Sequence, residues 1–235
     1  MIVVIGSPAY ASTPSGDGAA AGLAVEVAAA ARARGAAVEL VGKVGDDGAG
    51  DAVVLGLGRL GIGHAALLRD PARPTPVLTA LGEAEADQGG DVAAGLEAVG
   101  GDVEEAAEPA RPTRTLLPAD PDARPAMDAG DVALALRYLA EAKVVVLAEP
   151  LPEAAVTAVV DGATFSGARI VALVPAGAAA PTLSGDATIL EEPAEDDGSF
   201  ARLVGQYAAA LDAGKEPAAA FMDAVGASGW EPVAD

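Results

Sequence analysis

Short apolar runs alternate with amphipathic segments along the chain. The first run, Ile2–Ile5, is β-branched and ends at Gly6, as a buried strand would. Pro, Ser and Gly residues then predict a loop at residues 7–18. The alanine-rich segment 19–34 carries apolar residues on one face, which predicts a helix that Gly35 ends.

The same alternation continues through the rest of the sequence. Further apolar runs predict strands at residues 37–44, 64–68, 75–81, 143–148, 168–174 and 187–190. Apolar residues at helical spacing predict helices that begin after Asp47, after Asp128, at Pro152, near Phe200 and at Pro217. Strands that alternate with helices predict one α/β domain over residues 1–235, with a mainly parallel sheet.

Charge narrows the classes of partner. The sequence has 14 basic and 35 acidic residues and a net charge of −21, so nucleic-acid phosphates and anionic membranes would repel it. We therefore expect no nucleic-acid and no membrane partner, and no apolar run approaches the roughly 18 residues that a membrane helix needs. Cysteine is absent, which excludes disulfides and a thiol nucleophile and fits the cytoplasmic location that we expect.

An acidic, glycine-rich segment at residues 83–109 interrupts the alternation. Its composition favours a solvated loop, with one short helix around residues 92–99. A carboxylate-lined cation site is the alternative, although no ligand spacing such as that of an EF-hand loop occurs there. We assign no metal ligands from the sequence.

Residues 22–75 resemble the ribokinase-like (PfkB) family of carbohydrate kinases. The resemblance lies in "ARARGAAVELVGKVGDDGAGDAVVLGLGRLGIGHAALLRDPARPT", which has the family's order of VGxVGxDxxGD, LxxxGI and a threonine. Residues 128–160 also resemble the family's middle βα units, with weaker motifs. The resemblance implies a three-layer αβα fold with a mainly parallel central sheet. The short segment 7–18 leads us to expect no β-lid.

The string GAGD at residues 48–51 has the letters of the family's catalytic signature. In the family, that signature opens a helix near the carboxyl terminus, whereas here the string directly follows VGKVGDD. We interpret it as a structural helix start, with Asp47 as the cap and Asp51 in the first turn. The alternative is a helix N-terminus that faces a phosphate.

The resemblance places the catalytic turn before the penultimate helix. Counting back from that helix puts the signature on residues 197–200, so Asp197, Gly198 and Ser199 are the candidate nucleotide-binding residues. Phe200 occupies the position of the catalytic aspartate, and it also fits the apolar face of the helix. Asp196 and Asp197 could replace the missing base, but both also suit a helix N-terminus. The catalytic residue therefore stays unassigned.

The resemblance also indicates where a sugar would bind. The family's GGKGAN turn aligns with residues 21–26, so Gly22 and Glu26 are the candidate substrate-binding residues. Glu26 would accept a ligand hydroxyl or serve as an ordinary boundary carboxylate. The polar pair of the family's GSxNxD is missing from GSPAYA at residues 6–11. The single histidine, His64, is expected to be a partly buried strand residue.

Two functions follow from the resemblance. The first is phosphate transfer from ATP, with Mg²⁺, to a hydroxyl of a sugar or nucleoside. The second is a non-catalytic pseudokinase that binds a small polyol, a nucleoside or a protein partner. An inactive chain would need no cofactor, and an oligomer would not form through a β-lid. A Rossmann oxidoreductase is set aside because no GxGxxG follows the first strand.

Overall fold

The computed structural model describes residues 1–12, 18–79, 123–183, 186–194 and 198–228. These residues form the strands β1 (Ile2–Ile5), β2 (Ala9–Ser12), β3 (Ala19–Ala21), β4 (Val38–Gly45), β5 (Leu67–Asp70), β6 (Val77–Thr79), β7 (Val144–Leu147), β8 (Arg169–Val174) and β9 (Thr188–Glu191). Six of them make a parallel central sheet in the order β5-β4-β1-β7-β8-β9. β1 and β7 are buried over their full length, as their unbroken apolar sequences predict.

Helices cover both faces of this sheet. They are α1 (Leu23–Ala33), α2 (Gly48–Arg59), α3 (Ala129–Tyr138), α4 (Glu153–Ser166), α5 (Ser199–Asp212) and α6 (Pro217–Ser228). Alternate residues of β1 face the two layers, because successive side chains of a strand point to opposite sides. Ile2 and Val4 share a core with α1, α2, α5 and α6, whereas Val3 and Ile5 share a core with α3 and α4. The predicted three-layer α/β fold is confirmed.

The direction of α5 fixes which of its ends lies near the carboxyl edge of the sheet. α5 packs on α1 and also contacts β1 and β7. Its last residue, Asp212, lies 2.5 Å from the amino group of Met1, which precedes β1. The C-terminus of α5 is therefore at the amino edge of the strands, and its N-terminus points toward their carboxyl edge.

A small second sheet corrects the loop predicted at residues 7–18. β2 pairs antiparallel with β3 and parallel with β6, and these strands contact α2. Gly56 of α2 permits close packing, since a Cβ there would lie 2.9 Å from Cβ of Ala20. The helix predicted from residue 19 accordingly begins at Leu23. The expectation of no β-lid rested on the shortness of this segment, of which residues 9–12 form one strand, β2, of the three-stranded sheet.

The other predicted elements are present at shifted bounds. Leu60 recurs at helical spacing after Val53 and Leu57 in the sequence, which predicts that it shares their apolar face, but it is 44% exposed at the C-cap of α2. The acidic segment 83–109 lies outside the described residues. Within the described ranges, no helix is both long and apolar enough to cross a membrane.

Candidate functional site

The strand order reverses between β1 and β7. From β1 the chain passes through α1 to β4 on one side, and it later passes through α3 to β7 on the other side. In open α/β sheets, such a reversal leaves a crevice outside the carboxyl ends of the two strands, and ligands bind there. The residues that follow β1 and β7 are therefore the first candidates for a binding site.

Ser7 and Glu149 follow these two strands and contact each other. Ser7 Oγ donates a hydrogen bond of 2.8 Å to Glu149 Oε1, and both residues are partly buried. Burial raises the pKa of Glu149 above the usual value of a glutamate, although the Ser7 hydrogen bond and the charge of Arg124 oppose the shift. The edge of the sheet thus carries, beside a hydroxyl, a carboxyl group that is easier to protonate than an exposed glutamate.

Of the two candidate substrate-binding residues, Gly22 lies beside the backbone of Ser7. It precedes α1 with a φ of 99°, and a Cβ there would lie 3.5 Å from the carbonyl oxygen of Ser7. That backbone conformation favours glycine, and it brings the start of α1 close to Ser7. Glu26 is exposed one turn further along α1, where its N–H donates to the carbonyl of Gly22. The fold therefore brings Gly22 close to the backbone of Ser7 and leaves Glu26 on the surface.

Residues 48–51 form the first turn of α2, and structural hydrogen bonds hold this turn. The Asp47 carboxylate accepts from the Gly50 N–H at 2.8 Å, from the Thr75 N–H at 2.8 Å and from Thr75 Oγ1 at 2.7 Å. Desolvation acts to raise the pKa of Asp47, but these hydrogen bonds outweigh it and hold the pKa below its usual value. Asp47 is the helix cap that the sequence predicted.

Asp51 forms an ion pair that accounts for its position without a ligand. Arg69 Nη2 lies 2.6 Å from Asp51 Oδ1, and Arg69 Nη1 donates to the carbonyl oxygen of Gly45 at 3.0 Å. The neighbouring Asp70 accepts from the Ala72 N–H at 2.8 Å, and this bond is the main cause of a lowered Asp70 pKa. These contacts fit the interpretation of GAGD as a structural helix start.

The N-terminus of α5 lacks the expected base in its described first turn. Gly198 precedes the helix with a φ of 85°, Ser199 is its first residue, and the first turn contains no acidic side chain. Phe200 is 2% exposed and packs in the core shared with α1, so its predicted core role is confirmed. Asp196 and Asp197 lie outside the described residues.

The remaining candidate groups are structural or dispersed. His64 is partly buried, three residues before β5, and its Nδ1 lies 3.1 Å from the carbonyl oxygen of Ile62. Lys43 and Asp131 join β4 to α3 through an ion pair of 2.5 Å. No group of three or more His, Asp or Glu side chains that could hold a metal ion occurs in the part of the chain that the structure describes.

Sequence reasoning did not single out Glu149. The available signal is its position, because it directly follows the apolar run KVVVLA, and functional polar residues gather at the carboxyl ends of parallel strands. Its partner Ser7 is 142 positions away. Only the order of the strands in the sheet brings the two residues together.

Solved structures share the fold of this protein over almost the whole chain. The crystal structure of Sa239 has a TM-score of 0.65 and 13% identity, over 99% of this chain and 95% of that one. The Arabidopsis thaliana ribokinase, solved as a complex with ribose and ATP, has a TM-score of 0.59 and 15% identity, over 97% of this chain and 90% of that one. The fold is ribokinase-like. No family model and no curated protein matches the sequence.

A shared fold of this kind hosts several functions, so activity must be argued from the site. The ribokinase-like strand order contributes the reversal between β1 and β7, and in sheets of this kind ligands bind outside the carboxyl ends of two such strands. Among the described residues, the groups found at that edge include the hydroxyl of Ser7, the partly buried carboxyl of Glu149 and the backbone of Gly22.

Proposed function

We propose that this chain binds a small polyol or nucleoside at the carboxyl edge of β1 and β7, and that it transfers phosphate very slowly or not at all. The hydrogen bond between Ser7 and Glu149 carries the proposal, because it places two groups that recognise hydroxyls at the reversal point of the sheet. The complex of the Arabidopsis ribokinase with ribose and ATP is consistent with this class of ligand.

The proposed contacts use the ordinary chemistry of a carboxylate and a hydroxyl. Glu149 accepts hydrogen bonds from ligand hydroxyls when ionised, and its raised pKa also gives access to a protonated form that donates. Ser7 donates to Glu149 or to the ligand and accepts in either case. Gly22 leaves no side chain at the start of α1, where the ligand would approach the backbone of Ser7.

The proposal of weak or absent phosphate transfer rests on the start of α5. ATP bound with Mg²⁺ would supply the phosphoryl group, and backbone N–H groups at Gly198 and Ser199 suit a phosphate oxygen. A base that takes the hydroxyl proton typically contributes about 10²–10⁴-fold to the rate. Phe200 cannot serve as that base, and no carboxylate of the described first turn replaces it. The nucleotide-binding role of Asp197, Gly198 and Ser199 stays a prediction.

Ligand binding tests the first part of the proposal. Isothermal titration with ribose, fructose, ribitol and adenosine should give saturable heat for at least one compound. Ser7→Ala and Glu149→Ala should each weaken that binding at least about tenfold, the equivalent of one lost hydrogen bond to a charged group. Glu141→Ala removes an exposed glutamate and should leave binding unchanged. Equal affinity in the wild type, Ser7→Ala and Glu149→Ala would contradict this site.

Phosphate transfer is tested separately, by ADP release in the presence of ATP, Mg²⁺ and the compound that binds. We expect no sugar-dependent release above the rate without sugar. Rapid turnover that is lost in Asp196→Asn or Asp197→Asn would show an active kinase with a relocated base. That result would refute the second part of the proposal and leave the first part intact.

A further inference from the structure

Three neighbouring strands, β4, β1 and β7, carry polar side chains at the same level. β1 pairs in parallel with both of the others, and continuing the two registers two residues beyond Ile5 places Lys43 and Glu149 on either side of Ser7. Neighbouring strands lie about 4.8 Å apart. Lys43 is therefore a direct neighbour of the Ser7–Glu149 pair in the sheet.

The three side chains also lie on the same face of the sheet. At the preceding level, a Cβ on Gly6 would lie 2.9 Å from Cβ of Ala24 on α1 and 3.2 Å from Cβ of Ala148, so that level faces α1. Side chains of a strand alternate between its two faces, so Ser7 and Glu149 face the layer of α3 and α4. The ion pair of Lys43 with α3 places Lys43 on that face as well.

Lys43 is held at this level by a fixed carboxylate. Its ammonium lies 2.5 Å from Asp131 Oδ2, and the two side chains are 16% and 20% exposed. The same oxygen accepts from the N–H of Asp128 at 3.1 Å, within the capping box of α3. An ammonium has three N–H donors, and the bond to Asp131 is the only one that it makes to a described residue. Two donors are left for water or a ligand.

Stability alone does not account for a lysine at this place. Proteins rarely bury lysine, and replacing a buried ion pair by apolar residues is often neutral or stabilising. The sequence has only three lysines in a chain with a net charge of −21. One of them lies beside the two residues that carry the proposed function, and this placement indicates a role in binding.

We propose that Lys43 is a third ligand-binding residue of the Ser7–Glu149 site, and that its ammonium donates to a hydroxyl oxygen of the bound polyol or nucleoside. The inference rests on the proposed function, because it concerns the same site. A hydroxyl group both donates and accepts hydrogen bonds. Glu149 accepts from ligand hydroxyls and Lys43 donates to them, so a ligand with several hydroxyls finds both kinds of partner along one row of the sheet.

Single-deoxy analogues locate the contact. Isothermal titration compares whichever of ribose, fructose, ribitol and adenosine binds with each of its single-deoxy analogues, such as 2-deoxy-D-ribose or 3′-deoxyadenosine. In the wild type, removing the hydroxyl that Lys43 contacts should weaken binding at least about tenfold. In Lys43→Met the parent compound should bind that much more weakly, and removing this hydroxyl should cost nothing further. A lysine that only joins β4 to α3 would affect parent and analogue alike.

Two further variants separate binding from folding. Lys43→Met leaves Asp131 buried without its partner, so the double variant Lys43→Met/Asp131→Asn, which removes both charges, is compared with Asp131→Asn alone. Discrimination against the one deoxy analogue should persist in Asp131→Asn, which keeps the ammonium, and should be lost in the double variant. Lys143→Met removes an exposed lysine next to the amino end of β7 and should leave every affinity unchanged.

The outcomes for Lys43 and for the proposed function are distinguishable. Unchanged ratios of affinity in Lys43→Met and in the double variant, with binding still weakened in Ser7→Ala and Glu149→Ala, would overturn the role of Lys43 and leave the proposed function intact. Absence of saturable binding by all four parent compounds would refute the proposed function and the role of Lys43 with it.

Discussion

The hydroxyl of Ser7 and the carboxyl of Glu149 meet at 2.8 Å, across the reversal point of the central sheet. Each residue follows a fully buried strand, so the backbone holds both side chains at the same edge. The carboxyl of Glu149 is also partly removed from water, and this desolvation is the largest cause of its raised pKa. The pair can therefore form hydrogen bonds with a ligand, and the protonation of its Glu149 carboxyl depends on pH.

Replacing Glu149 by glutamine should change how stability depends on pH. The raised pKa means that the folded chain holds this proton at a higher pH than the unfolded chain does. The contribution of this proton to the free energy of unfolding is therefore complete below the ordinary glutamate pKa. It is lost as pH rises through the raised pKa. Glu149→Gln removes this decline, so its stability should rise relative to the wild type across that window.

Urea unfolding of both proteins between about pH 4 and pH 8 measures the effect, since this range extends upward from the usual pKa of a carboxyl group. Glu141→Gln, which alters an exposed glutamate, serves as the control. A constant difference between Glu149→Gln and the wild type at every pH would contradict the assignment of a raised pKa.

Asp47 should matter more for stability than an ordinary helix cap. Asp47→Ala removes the acceptor of three hydrogen bonds, one from Gly50 and two from Thr75. A cap alone contributes about 0.5–2 kcal/mol, and the bonds from Thr75 to a charged group add to it, so we expect a loss above about 2 kcal/mol. Asp128→Ala removes the cap of α3, which among the described residues accepts from the Asp131 N–H, and should cost about 1 kcal/mol.

Chemical denaturation of the two cap variants measures this difference. The lowered pKa of Asp47 further predicts that its contribution is complete above the ordinary aspartate pKa. The contribution should disappear as pH falls through the lowered pKa. Equal losses in Asp47→Ala and Asp128→Ala would show that the bonds to Thr75 contribute little.

The GAGD aspartate should prove structural and only mildly stabilising. Asp51 is in the first turn of α2 and pairs with Arg69, but its side chain is 71% exposed. Asp51→Ala should cost about 0.3–1 kcal/mol through the helix dipole. A double-mutant cycle with Arg69→Gln should give a coupling of about 0.2–1 kcal/mol. Loss of a measurable activity in Asp51→Ala at an unchanged melting temperature would contradict the structural role.

An aspartate at position 200 should unfold the protein instead of creating an active site. Phe200 is 2% exposed and packs against the α1 layer. Truncating a buried phenylalanine costs about 3–5 kcal/mol, and Phe200→Asp also buries a charge without a partner. Phe200→Leu keeps the site apolar and should cost less than about 2 kcal/mol. A folded Phe200→Asp with a melting temperature near that of the wild type would refute this prediction.

Two glycines on helices should respond in opposite directions to an added methyl group. In Gly205→Ala the new Cβ would lie 2.6 Å from Cβ of Ala30 and 2.6 Å from the carbonyl oxygen of Val27. Overpacking of this kind costs about 1–3 kcal/mol. Gly58→Ala meets no atom within 4 Å and should gain about 0.5–1 kcal/mol from helix propensity. Urea unfolding of both variants tests the pair, and a stabilised Gly205→Ala would contradict the close packing of α1 on α5.

The features that the sequence determined by itself are those decided by near neighbours. β1 and β7 were predictable because an unbroken apolar run has few alternatives to a buried strand. The cap at Asp47 was predictable because it bonds to a residue three positions away. Phe200 was predictable as core because the apolar face of its helix has a local period.

Only the tertiary structure decided the features that join distant parts of the chain. The small second sheet forms because β2 pairs both with β3 and with β6, and β6 lies far from β2 along the sequence. Glu149 became part of a candidate site because the sheet order places it beside Ser7. Local periodicity specifies which face of an element is apolar, whereas strand order specifies which polar ends meet. For Ser7 and Glu149, the strand order depends on the pairing of β1 with β7, as in Ile2 with Val144, and no local pattern encodes a pairing over that distance in the sequence.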